Sequence, residues 1–299
     1  MNQILAIRVF ARVVEAGSFV KAADSLDMPK ATVSKLIQDL ESFLRVRLLQ
    51  RTTRSVTVTV DGAKYYELTA RVIQDLEEIN AGFQGAQFNP RGKIHVNVGG
   101  SVATSLIIPA LPVFYERFPD IKIDLGVSDR TVDLISDNVD CVIRGGPIAQ
   151  QSLAARLLGK ASCTTCASPA YLQRFGEPNH PRELENAHRI VSYHSAGTNR
   201  LIPAAFQRGD EKVEVIGNSV LSVNESNAHI AAGLAGLGVI HTFTYAVQHY
   251  IESGALVPIL QDWRPAPYPF HVAYPPNRHL SNRVRVFIDW LVEHFSTLK

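Results

Sequence analysis

The sequence predicts a mixed α/β protein, helical at its N-terminal end and built from alternating strands and helices over the larger remainder. Three observations carry this. Up to about Gln87, apolar residues recur at steps of three and four, the period of helices with one buried face. Phe88-Asn89-Pro90-Arg91-Gly92 then interrupts the pattern and marks a domain boundary. From Lys93 onward, short β-branched runs alternate with helical stretches, the order that builds a parallel sheet through right-handed crossovers.

Residues 2–16 read as a first helix with Leu5, Val9, Phe10, Val13 and Val14 as its buried stripe and Gly17 as its C-terminal cap. Ser18 can cap a second helix over residues 19–25, where Ala22 and Ala23 let a neighbouring helix approach closely. Leu26-Asp27-Met28-Pro29 breaks that helix, and Pro29 suits a first helical position, where no N–H is needed. A third helix runs over residues 30–44, burying Val33, Leu36, Ile37, Leu40, Phe43 and Leu44. The opposite face of its first turns carries Lys30, Thr32, Ser34, Lys35 and Gln38, donors suited to base edges and phosphates in a major groove. Arg45, Arg47, Arg51 and Arg54 follow, and the alternation from Val56 to Val60 reads as a small hairpin with a basic tip. Between Met28 and Arg54, six Lys/Arg stand against only Asp39 and Glu41, whereas the whole chain carries a net charge of +2. So local an excess is the footprint of phosphate binding.

Asp61 to about Gln87 reads as one long helix capped by Asp61. Tyr65, Leu68, Val72, Leu76, Ile79 and Phe83 recur close to a heptad seam. A long helix with one narrow apolar stripe calls for a partner. In the remainder, strands are predicted over residues 93–98, 121–127 and 141–143, joined by helices over 102–118 and 130–136. Later strands fit 153–158, 162–167, 189–193, 219–223, 239–242 and 268–274. Later helices fit 169–175, 224–235, 243–253 and 281–297.

The residues from Phe10 to Arg54 resemble the N-terminal domain of LysR-type transcriptional regulators. The pattern is carried by Phe10, Val13, Val14, Glu15, Gly17, Ser18, Phe19, Ala22, Ala23, Leu26, Val33, Ser34, Ile37, Leu40, Glu41, Leu44, Arg47, Leu48, Leu49 and Arg51 to Arg54. Arg45 stands where that family usually has glycine, Lys35 where arginine is commoner, and Thr59-Val60-Asp61-Gly62 replaces the usual Thr-Glu-Ala-Gly. The second half resembles the effector domain of the same family through Leu106-Ile107-Ile108-Pro109, Asp140-Cys141-Val142-Ile143-Arg144-Gly145, Ser168-Pro169-Ala170-Tyr171-Leu172 and the stretch from Gly233 to Ile240. The resemblance implies a winged helix-turn-helix DNA-binding domain over residues 1–60 and a linker helix over 61–88 that pairs two copies. It further implies an effector-binding domain over 89–299, two-lobed like periplasmic solute-binding proteins. Lobe I would be 91–160 plus 265–299 and lobe II 161–264. It also implies homodimers or homotetramers and contact with RNA polymerase.

The candidate contacts to double-stranded DNA are Ser18, Pro29, Lys30, Ala31, Thr32, Ser34 and Lys35 on the helices, with Arg51, Thr52, Thr53 and Arg54 at the wing. The arginines suit a narrow A·T-rich minor groove. In open α/β sheets, ligands lie beyond the carboxyl ends of strands. That rule selects Ser101, Val102, Ser128 and Arg144 from one lobe, and His241, Thr242 and, from a glycine-bearing loop, Asn199 from the other. Ser101 and Val102 open a helix, so a small carboxylate is the expected effector.

No catalytic residue, metal site or cofactor is expected. Cys163 and Cys166 have the spacing of a redox pair but sit in a strand, where residues three apart point to opposite faces. Gly233-Leu234-Ala235-Gly236-Leu237-Gly238 ends a helix and enters a strand, the reverse of a nucleotide-binding loop. Three cysteines, no apolar run long enough for a membrane and no signal-like start point to a cytoplasmic protein. The rival reading is a cytosolic solute-binding or enzymatic α/β protein whose N-terminal helices only dimerise it.

Overall fold

The computed structural model describes residues 2–51, 56–83, 90–130, 132–134, 137, 139–146, 153–276 and 280–296. The chain forms two compact units, Met1–Phe88 and Asn89–Lys299.

In the first unit, α1 (Gln3–Ala16), α2 (Phe19–Ser25) and α3 (Lys30–Leu44) pack around Val9, Phe10, Val13, Ala22, Val33, Ile37 and Leu40. The fully enclosed Ala22 lets α2 lie close against its neighbours. Asn2 caps α1 by accepting the Leu5 N–H at 3.1 Å, and Gly17 ends it in the left-handed region at φ 59°. The Ser18 hydroxyl accepts the Lys21 N–H at 3.4 Å and so caps α2. Two residues of the expected stripes lie outside. Leu5 is exposed because Ala6 and Ile7 take the inward positions of the first turn, and Phe43 is 63% exposed because Leu40 and Leu44 take the inward positions at the end of α3.

Strand β1 (Leu49–Arg51) pairs antiparallel with β2 (Val56–Val58), Leu49 opposite Val58. The second strand stops at Val58, short of the expected Val60. Thr59 turns the chain there: its hydroxyl donates to the Arg47 carbonyl at 2.8 Å and accepts the Gly62 N–H at 2.9 Å. Thr59, not Asp61, therefore caps α4 (Val60–Phe83). Tyr65, Tyr66 and Ile73 of α4 pack on the three-helix core, with the Tyr65 ring 5.8 Å from that of Phe10. Leu68 and Val72, by contrast, are 47% and 60% exposed. The single expected stripe thus divides between the head core and an open face.

In the second unit, β3 (Gly92–Val98), β4 (Ile121–Val127) and β5 (Cys141–Gly145) run parallel. Two antiparallel strands, β6 (Ala154–Ala161) and β15 (Tyr268–Tyr274), complete a sheet in the order β4-β3-β5-β15-β6. The crossover from β3 to β4 comprises α5 (Gly100–Val102), a π-helical turn over Ala103–Ile107, and α6 (Ile108–Arg117). Pro109 offers no N–H to the carbonyl four residues back, which favours the wider turn before it. The expected helix over 130–136 does not form in the described residues: Val132 and Asp133 are irregular, and Leu134 turns to accept the Val139 N–H at 2.9 Å. Helix α11 (Asn282–Phe295) covers this sheet with Phe287 and Leu291, and Phe287 meets Phe114 edge-on at 5.4 Å.

Ser162 alone separates β6 from β7 (Cys163–Ala167), where the chain leaves the first lobe. Ala161, the expected first residue of the second lobe, still pairs with Tyr268 in the first sheet. Strand β7 lies between β13 (Ile240–Phe243) and β14 (Val257–Ile259), antiparallel to both. A second three-stranded sheet sets β8 (Arg189–His194) between parallel β12 (Asn218–Val223) and short β9 (Leu201–Ile202). A hairpin of β10 (Ala204–Arg208) and β11 (Glu211–Val215) packs Phe206, Val213 and Val215 into the lobe core. Helices α7 (Pro169–Phe175), α8 (Glu183–Asn186), α9 (Ser226–Leu234) and α10 (Thr244–Glu252) complete it. Strand β9, this hairpin and β14 were not anticipated.

Candidate nucleic-acid interface and ligand cavity

Helix α3 presents an open polar face because its apolar face is spent on the core. Lys30, Ala31, Thr32 and Lys35 are exposed and Ser34 is half-buried, while Val33 and Ile37 are enclosed. Pro29 takes the position just before the helix, and its carbonyl accepts the Thr32 and Val33 N–H groups. Ser18 is engaged in its capping bond. Two features fix the wing to this helix. Arg45 ends α3 in the left-handed region at φ 55°, the conformation glycine favours. Glu41 then reaches across, one carboxylate oxygen accepting the Leu48 N–H at 2.8 Å and the Leu49 N–H at 3.0 Å. Sequence reasoning gave Glu41 no such task. Arg51 closes β1, while Thr52, Thr53 and Arg54 lie outside the described residues.

The second unit encloses a cavity of about 380 Å³ between its lobes, large enough for a small organic molecule. Ile143 and Phe270 wall it from one lobe, and Ile190, Val191, Val215 and Phe243 from the other. At one side the lobes are stitched together through Asp129. One of its oxygens accepts the Gly100 N–H at 3.0 Å, and the other accepts the Tyr193 hydroxyl at 2.9 Å and the Ser226 N–H at 2.8 Å. Burial first, and the Asp129 charge second, push the Tyr193 phenol well above its usual range, so it stays a donor. The Ser101 N–H donates to the Ser226 hydroxyl at 2.8 Å, and the hydroxyls of Ser101 and Tyr245 lie 3.2 Å apart.

The remaining polar groups are restrained or uncharged. Arg144 donates to the carbonyls of Ile143 at 2.9 Å and of Ser128 and Arg130 at 3.1 Å, and to the Asn97 side chain. Burial lowers its pKa. His241 shares a 2.9 Å bond between Nδ1 and the Thr165 hydroxyl, and burial pulls its pKa down to about 4. His229 donates from Nε2 to the Val191 carbonyl at 2.9 Å, and burial lowers its pKa too.

Ser101, Val102, Arg144, His241 and Thr242 all line the cavity. Two residues expected there do not. Ser128 turns its hydroxyl to the Arg130 N–H at 3.1 Å and its carbonyl to Arg144. Asn199 sits in an exposed turn that closes on itself, its N–H donating to Ser195 at 2.8 Å. Asp129, Tyr193, Ser226, His229 and Tyr245 were missed. Asp129 had a signal: it follows Ser128 at the carboxyl end of β4, one position past the residue chosen. Cys163 lines the cavity and Cys166 is buried behind it; burial pushes their thiols up to about 11 and about 12. Thiols held protonated in this way make poor nucleophiles. Among the described residues no cluster of metal-binding side chains occurs, and no helix is long and apolar enough to cross a membrane.

Residues 4–63 match the family model described as bacterial regulatory helix-turn-helix protein, lysR family, and residues 89–296 match the LysR substrate binding domain. The chain is 37% identical to an HTH-type transcriptional repressor of Pseudomonas aeruginosa over 99% of its own length and 93% of the relative's. It is 39% identical to the HTH-type transcriptional regulator YhjC of Escherichia coli over 97% of both. Among solved structures, CrgA, a LysR-type transcriptional regulator from Neisseria meningitidis, superposes with a TM-score of 0.63 at 28% identity, covering 98% of this chain and 99% of that one. The full-length virulence activator AphB of Vibrio cholerae gives 0.60 at 27%, covering 97% and 98%. A reading head with an open polar helix, a separate two-lobed ligand-binding unit and these matches together place the chain in the LysR family of DNA-binding transcriptional regulators.

Proposed function

We propose that the protein reads a specific DNA sequence through α3 and the wing, and that a small molecule in the interlobe cavity changes how it does so. The carrying observation is the division of α3 into a face that buries Val33, Ile37 and Leu40 and an open face of Lys30, Ala31, Thr32 and Lys35. Ser34 and Pro29 flank that face. Arg51, Thr52, Thr53 and Arg54 supply the wing contacts, the arginines in or beside a minor groove. Two copies pair through the open face of α4, where Leu68 and Val72 lie, so the target is an interrupted palindrome. Dimers pair again into tetramers and contact RNA polymerase. The effector favours one packing of the lobes over another, and that preference changes the angle between the two heads. An acidic effector must compete with Asp129, whose carboxylate already holds the Gly100 and Ser226 N–H groups.

Protection of the protein's own upstream DNA, measured at two salt concentrations, tests this. A protected interrupted palindrome that weakens steeply with salt is the expected result. Lys35→Ala should weaken binding and lower the salt slope by about one unit if Lys35 meets a phosphate. Salt-insensitive, sequence-blind affinity would overturn the reading.

A further inference from the structure

We propose that Asp129 fixes the ligand class of the cavity: its carboxylate fills the one anion seat and latches the lobes, so the cavity takes an uncharged, mainly apolar ligand. This rests on the interlobe cavity being the effector site. Three donors converge on this one side chain, and they come from both lobes: the Gly100 N–H from the first, the Tyr193 hydroxyl and the Ser226 N–H from the second. Two backbone donors and a phenol fill three of the roughly four acceptor positions of the carboxylate. The joint is also close-packed. A Cβ at Gly99 would come within 2.5 Å of Asp129, and one at Gly100 would collide with the Glu225 carboxylate.

Elsewhere the lining offers an anion little. The Arg144 guanidinium already spans three backbone carbonyls and the Asn97 side chain. Both histidines are held neutral, and each has one ring nitrogen engaged, His241 by the Thr165 hydroxyl of β7 and His229 by the Val191 carbonyl of β8. Thr242, Cys163 and the apolar walls complete a surface that suits a ring with one or two hydroxyl, ether or amide groups.

The test is chemical complementation in the full-length chain. Asp129→Ala empties the seat and leaves its donors in place. Thermal unfolding is followed in sodium acetate, with sodium chloride at equal ionic strength as the control. The variant should unfold at a lower temperature than wild type and regain stability saturably with acetate, while wild type responds alike to acetate and chloride. Acetate should bind the variant at least tenfold more tightly than wild type. Equal acetate binding by both proteins, or none by the variant, overturns the proposal. Asp129→Asn covers the case in which the alanine variant does not fold. It fills the same space but turns an amide toward two N–H donors, so its unfolding temperature should drop; an unchanged value overturns the latch. Neither readout involves DNA, so a failed footprint and a failed latch are separately visible.

Discussion

At the scale of single residues, the reading head is held by side chains with exact backbone tasks. Arg45 closes α3 with φ at 55°, where a side chain costs about 1 kcal/mol relative to glycine. Arg45→Gly should therefore raise the unfolding free energy of the head by about that amount, measured by denaturant titration, and remove one positive charge beside the wing. Glu41 is the opposite case. It satisfies two N–H groups at once, so Glu41→Ala should cost about 1–3 kcal/mol and loosen the wing, visible as faster amide exchange at Leu48 and Leu49. In the cavity, His241 has a folded pKa of about 4 against an ordinary 6.5. The unfolded chain then binds more protons between those values. The stability this residue contributes is complete above pH 6.5 and is lost progressively as the pH falls toward 4. His241→Gln should flatten acid destabilisation over that window in thermal scans.

At the scale of elements, α4 is the informative one. Its spacing announces a helix with a partner, and the head core covers only part of its apolar surface. Tyr65, Tyr66 and Ile73 dock on the head core, and Leu68 and Val72 face outward. Leu68→Glu combined with Val72→Glu should leave the head folded and lower the molar mass in solution, checked by light scattering; an unchanged mass would remove this face from the assembly. The same element shows why the sequence is an incomplete guide. Near-heptad spacing states how many residues want cover but not which neighbour covers each. Short elements are harder still. The β10–β11 hairpin carries a plain signal in Phe206, Val213 and Val215 around Gly209, which turns at φ 60°, but strands of five residues are easily read as loop. The extents of the first three helices were legible, α1 and α3 from several turns of regular spacing and α2 from its Ser18 cap, although Leu5 and Phe43 of the expected stripes lie outside.

At the scale of the whole molecule, the order of strands and helices sufficed for a two-unit α/β architecture, and the strand-end rule reached the cavity from both lobes, through Ser101, Val102 and Arg144 on one and His241 and Thr242 on the other. What it could not reach is the closure of that cavity. The bonds of Asp129 to Tyr193 and Ser226 span separations of 64 and 97 residues, and no local pattern encodes them. Such contacts exist only once the two lobes have met, so strand ends bring Ser101, Arg144, His241 and Thr242 to the cavity without showing which side chain joins its walls.

The position of β15 in the first sheet sets an order of manufacture. It lies between β5 and β6, yet it is translated only after the entire second lobe. Until Tyr268–Tyr274 leaves the ribosome, β5 and β6 each present a bare edge, and the apolar side of the sheet lacks the cover of Phe287 and Leu291. The head needs nothing later than α4 and is finished far earlier. The first unit can therefore pack its core while the sheet of the second is unfinished, and during that interval the unfinished sheet is the chain's most aggregation-prone surface.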